Sequence, residues 1–97
     1  MADAALRLDR FLWFARFARS RAIARQMVES GRVRIDGRRV ERVAQPVRVG
    51  AVLTFAQGGS VRVIRVERLP VRRGPASEAA SCVTDLSPGV DEPVTPT

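Results

Sequence analysis

Seventeen arginines and no lysine carry most of the chemistry open to this 97-residue chain. A guanidinium binds phosphate or carboxylate through two parallel hydrogen bonds and stacks on flat rings, which an ammonium does less well. Ten acidic residues oppose the arginines, for a net charge of +7 and a pI of about 11.6. The charges are segregated. Residues 1–73 hold every arginine and six acids (Asp3, Asp9, Glu29, Asp36, Glu41, Glu67), a balance of +11. Residues 74–97 hold no arginine and four acids (Glu78, Asp85, Asp91, Glu92), a balance of −4. Such a body calls for a polyanionic partner, nucleic acid first and anionic membrane second. Codon bias and solvated faces explain some of the arginine, but +11 exceeds what solubility needs.

Other chemistry is scarce. With no histidine, Ser-His-Asp and Cys-His catalysis and His-ligated zinc are excluded within the chain. Cys82 is the one cysteine, lacks basic neighbours and is assigned no chemistry. Asp9 and Glu29 make no acid/base pair; each fits pairing with arginine or with a helix dipole. No enzyme activity, metal or cofactor is expected. A lone cysteine fits a reducing compartment. No apolar run approaches the roughly 18–20 residues that span a bilayer. Asp3 and Asp9 interrupt what would otherwise imitate a transit peptide, and no secretory signal is visible. The expected location is the cytoplasm.

Helices and strands must position the arginines. From Arg7 to Ala18 the apolar residues Leu8, Phe11, Leu12, Ala15 and Ala18 form one helical stripe. Trp13 and Phe17 fall on the far side of it, one turn apart. They would either stack on unpaired bases or, as preferred here, pack under a docked segment 76–83. Ser20 is a good N-cap for a second helix carrying Ile23, Ala24, Met27 and Val28, and Gly31 is its stop. The period then changes to two. Val33 and Ile35 mark a strand, Asp36-Gly37 a tight turn, and Val40 and Val43 an extended stretch that Pro46 limits to a loop or edge. Val52, Leu53 and Phe55 form a second strand, and Val61, Val63, Ile64 and Val66 a third, across Gly58-Gly59. The expected fold is α+β: two packed N-terminal helices against a small antiparallel sheet. Residues 1–6 read as a lead-in and 7–73 as the domain. Residues 74–97 read as an acidic, largely disordered tail with a short helix at 76–83.

On that scaffold Arg7, Arg10, Arg16, Arg19, Arg21 and Arg25 lie on and around the helices. Arg32, Arg34, Arg38 and Arg39 follow on the strand and turn. Neutralising six phosphates would give a log–log salt slope of roughly −4 on single strands, at about 0.7 per contact. Ser20, besides capping, can offer its hydroxyl and the neighbouring N–H groups to a phosphate. Gln26 can hydrogen-bond a base or sugar.

The spaced elements Arg7-Leu8-Asp9 with Leu12, Ser20-Arg21 with Ala24-Arg25-Gln26, and Gly31-x-Val33-x-Ile35-Asp36-Gly37 resemble a known family. It is the RNA-binding domain named after small-subunit ribosomal protein S4. The likeness covers about residues 7–55. Val49-Gly50 also fits, while Ala51 stands where the family usually has an acid. The resemblance implies an RNA-binding surface on the helix pair and hairpin: Arg7, Ser20, Arg21, Arg25, Gln26, Arg32 and Arg34. Arg10, Arg16, Arg19 and Arg38 are added by charge alone. The runs Arg7–Trp13 and Arg72–Ala79 are most similar to small, stand-alone, heat-shock-associated members. That likeness implies binding of ribosomal RNA and of free large ribosomal subunits, with a role in ribosome recycling. After Ala80 the chain departs from them into an acidic, proline-containing end. Larger relatives add pseudouridine synthase or tRNA synthetase domains, for which this chain has no room. A monomer is expected, bound to structured RNA and to no membrane, with DNA bound non-specifically at most. The competing readings are a helix-turn-helix DNA module and a membrane-surface or adaptor module.

Overall fold

The computed structural model describes residues 4–87, and its chain begins with a short strand, β1 (Leu6–Arg7). The expected lead-in over 1–6 therefore ends inside the fold. The first apolar stripe becomes α1 (Leu8–Phe14), which ends four residues earlier than expected. Arg16 stops it, with a left-handed φ of 67°. Phe17 N–H donates to Leu12 O (2.9 Å) and Arg16 N–H to Trp13 O (3.1 Å), the paired bonds of a Schellman ending. The Phe17 ring returns to within 6.4 Å of Phe11, the apolar contact that accompanies this motif. Glycine usually holds the left-handed position, so an arginine there carried no stop signal.

The second helix, α2 (Arg21–Glu29), matches expectation. Ser20 Oγ accepts the Ile23 N–H at 3.1 Å, and Gly31 follows the helix at φ 75°. Next come β2 (Val33–Ile35) and β3 (Arg38–Val40), closed by Asp36-Gly37 with both φ values positive. This is the tight hairpin expected. Asp36 also fixes the hairpin to its neighbour: its Oδ1 accepts the Val52 N–H (3.0 Å) and its N–H donates to Val52 O (2.7 Å). Pro46 keeps to an edge, in β4 (Pro46–Val47), which pairs antiparallel with β1. The two clear strands are β5 (Val52–Gln57) and β6 (Ser60–Val66), joined through Gly58-Gly59.

Two further elements continue the fold: α3 (Ala76–Ala80) and β7 (Val83–Asp85). β7 pairs with β6 in the register Ile64↔Asp85, Arg65↔Thr84, Val66↔Val83. The five-stranded antiparallel order is β3-β2-β5-β6-β7. Residues 74–87, read from the sequence as the start of a loose tail, thus cover an edge that β6 would otherwise leave open. Cys82 lies buried at the joint, its carbonyl accepting the N–H groups of Glu67 and Arg68. The expected helix over 76–83 is five residues long, and the rest of the expected tail, residues 88–97, lies outside the described residues.

The core sits between helices and sheet. Leu8, Phe11 and Leu12 of α1 and Ala24 and Val28 of α2 meet Val33, Leu53, Phe55, Ile64 and Val66, all buried. Each large side chain so buried contributes about 1.5–3 kcal/mol, which fixes the helix pair on the sheet. Trp13 and Phe17 are half-buried against this core. The Arg73 guanidinium covers Trp13, 5.9 Å from its ring centroid. Phe17 meets Phe55 edge-on at 5.0 Å with Arg62 over its face at 5.5 Å. Arg73, Phe55 of β5 and Arg62 of β6 cover these rings, and Ala76, Ala79, Ala80 and Val83 of the segment expected to dock there line a recess beside Phe17.

Candidate nucleic-acid interface

Asp9 organises the start of the helix pair. It is the one charged side chain in the described core, fully buried. Arg7 Nε donates to its Oδ1 (2.9 Å) and Arg7 Nη2 to its Oδ2 (3.1 Å). The Arg10 backbone N–H adds a third bond at 2.8 Å. Arg21, opening α2, stands 3.8 Å from Oδ2, an ion pair too long for a hydrogen bond. Burial pushes the Asp9 carboxyl up. The Arg7 guanidinium, the Arg10 N–H and Arg21 outweigh it and hold the group below the usual aspartate range. Arg7 and Arg21 thus stand side by side across the junction of two helices, each about 40% exposed.

The remaining expected residues divide. Arg25 and Gln26 are exposed on α2, and Arg32, Arg34 and Arg38 on the strand and hairpin. Ser20 is the cap of α2, half-buried at its start. Arg19 is exposed in the turn between the helices. Arg34 Nη1 donates to Gly37 O at 3.3 Å, bracing the hairpin. Arg10 lies elsewhere, in a recess with Ala4, Phe14, Leu69 and Val71. Arg16 holds the end of α1, its Nη1 donating to Gly74 O at 2.9 Å.

The sheet-side arginines have internal work. Arg62 pairs with Asp85 and Gln57, Arg65 with Glu67, Arg72 with Glu78, and Arg68 with Ser81. Arg73 donates to the carbonyls of Trp13 and Ala18. By contrast the guanidinium groups of Arg10, Arg19, Arg25, Arg32, Arg38 and Arg42 make neither a hydrogen bond nor an ion pair with any described residue. All six lie within residues 10–42. Unpaired guanidinium is therefore confined to the helix pair and the hairpin region.

Sequence reasoning treated Asp9 as a local charge partner and missed that it is buried beneath two of the expected arginines. The signal was Arg7 and Asp9 two apart at a helix start. The described residues hold no cluster of three metal-ligating side chains. No described helix is long and apolar enough to cross a membrane.

A capped helix pair leading into an Asp-Gly hairpin on an antiparallel sheet is the arrangement of an S4 domain, and the S4 domain family model matches residues 6–53. Heat shock protein 15 of Escherichia coli K12 is 39% identical over 87 residues, 90% of this chain and 65% of that protein. The Haemophilus influenzae homologue is 42% identical over 79 residues, 81% of this chain and 60% of that relative. A solved trimeric structure of Vibrio cholerae heat shock protein 15 superposes with a TM-score of 0.80 at 36% identity, covering 84% of this chain and 82% of that one. The chain belongs to the heat shock protein 15 family of S4-domain proteins. It spans 60–65% of the length of these two curated relatives.

Proposed function

We propose that this chain is a non-enzymatic binder of structured RNA, and that its target is ribosomal RNA of the large ribosomal subunit. The observation that carries the RNA reading is the confinement of unpaired guanidinium to residues 10–42. An arginine without a carboxylate or carbonyl partner has its whole donor fork available to a phosphate. Family membership supports the ribosomal target and a heat-shock, ribosome-recycling role in the cytoplasm. Affinity comes from arginine–phosphate contacts, and shape selectivity from the helix pair and hairpin. The proposed binding unit is a monomer.

The test compares two double variants of equal charge. Arg25→Ala with Arg32→Ala removes unpaired guanidinium. Arg65→Ala with Arg72→Ala removes paired guanidinium from the sheet side. The first should weaken binding to a large-subunit ribosomal RNA fragment about tenfold or more and flatten the salt slope by about 1–2. The second should leave both near wild type. Equal losses would remove the proposed surface, and tighter binding to duplex DNA at the same salt would favour the DNA-module reading.

A further inference from the structure

We propose that the groove between α2 and β5 receives a single unpaired nucleobase of the bound RNA. This rests on the RNA-binding reading and adds a binding preference to it. On α2, Ile23 is 43% exposed and Met27 is half-buried at the edge of the core. With Phe55 and Ala56 they floor a recess of about 360 Å³ that Gln26 and Arg32 also line. That volume is near the lower end for small-ligand pockets, about 300–1,000 Å³, and suits one planar ring system. Past Ala56 the groove continues to Arg19.

Charge selects the occupant. No acidic residue lines either part of this groove. The recess on the hairpin side includes Asp36 and Glu41, and the one beside α3 includes Asp85. An apolar peptide would gain nothing from two arginines without partners at the rim. A nucleotide uses both features: its ring faces bury against Ile23 and Met27, its polar edge reaches the Gln26 amide, and its flanking phosphates reach Arg19 and Arg32. A base in a continuous duplex cannot enter, because it would have to leave its stack.

Two RNA hairpins, alike except for one bulged 2-aminopurine, provide the test. The wild-type chain should bind the bulged hairpin about tenfold tighter, as expected for one buried base, and change the 2-aminopurine fluorescence. Ile23→Trp fills the groove from an exposed helix position without altering charge. It should reduce the bulged hairpin to the affinity of the paired one and leave the paired hairpin unchanged. Ile23→Ala should lower the preference without touching β5, and circular dichroism confirms that each variant is folded. A wild-type ratio of one, with the paired hairpin still bound, overturns the inference alone. So does a ratio that survives Ile23→Trp, or a shift in sedimented mass with Ile23→Trp, which would make the groove a contact between copies. Failure of the wild type to bind either hairpin overturns the RNA reading itself.

Discussion

Asp9 is a carboxylate removed from water and still held charged, because Arg7 and the Arg10 N–H hydrogen-bond it and Arg21 pairs with it. Its replacement separates charge from placement. Asp9→Asn raises the net charge by one, which by itself favours a polyanion. It also releases Arg7 and Arg21 from their common anchor. Placement should dominate: the variant should bind RNA more weakly and lose about 1–2 kcal/mol of stability in urea unfolding, the worth of a charged hydrogen bond with partly exposed partners. Tighter RNA binding by Asp9→Asn would mean that bulk charge alone governs affinity. Arg16 is the counterpart at the other end of α1. Its type suggested phosphate binding, and its left-handed φ makes it a helix terminator that also holds Gly74. Side-chain type was legible at both positions, but burial and backbone conformation were not.

Elements defined by their own neighbours were legible in the sequence. Ser20 and Gly31 bracket α2, and Asp36-Gly37 sets the hairpin, because each signal acts within four residues. Elements defined by distant partners were not. β1 exists through β4, and β7 through β6, and neither pair carries a local signature. The same division holds for the candidate site: Arg25, Arg32 and Arg38 stand exposed and unpaired where charge placed them, whereas Arg10 turns to a separate recess. The Arg73 cover over Trp13 belongs to the distant kind. Arg73→Ala should shift Trp13 emission to longer wavelength while far-UV circular dichroism stays unchanged, because the ring loses its guanidinium lid and gains water. Deleting residues 74–97 should shift the emission too and also lower the unfolding midpoint, since β6 then loses an edge partner. Emission unmoved by either change would mean that Trp13 is shielded from elsewhere.

Across the whole molecule, folding lowers the carboxyl pKa values of Asp9, Glu67, Glu78 and Asp85. Arginine outweighs burial at Asp9. Thr84 and Arg65 act on Glu67, Arg72 on Glu78, and Ser87 with Arg62 on Asp85. Groups depressed by folding stabilise fully above their unfolded values near pH 4, and that contribution is lost as pH falls through the folded values. The melting temperature should hold from pH 7 to 5 and drop below about pH 4, with Asp9→Asn showing a shallower acid limb. A midpoint that fell equally between pH 7 and 5 would contradict these pairings.

The contacts of residues 73 and 74 also impose an order on assembly. Arg73 reaches the carbonyls of Trp13 and Ala18, and Gly74 receives Arg16, across 55 to 60 positions of chain. A polypeptide made from its N-terminus has both helices long before those residues emerge. The turn between them gains these long-range bonds only once residues 73 and 74 exist. Until then the turn holding Arg19 is kept by its local bonds and by Gln57 on Phe17 O, so a nascent chain acquires the last braces of its anion-facing surface only after β5 and β6 have been made.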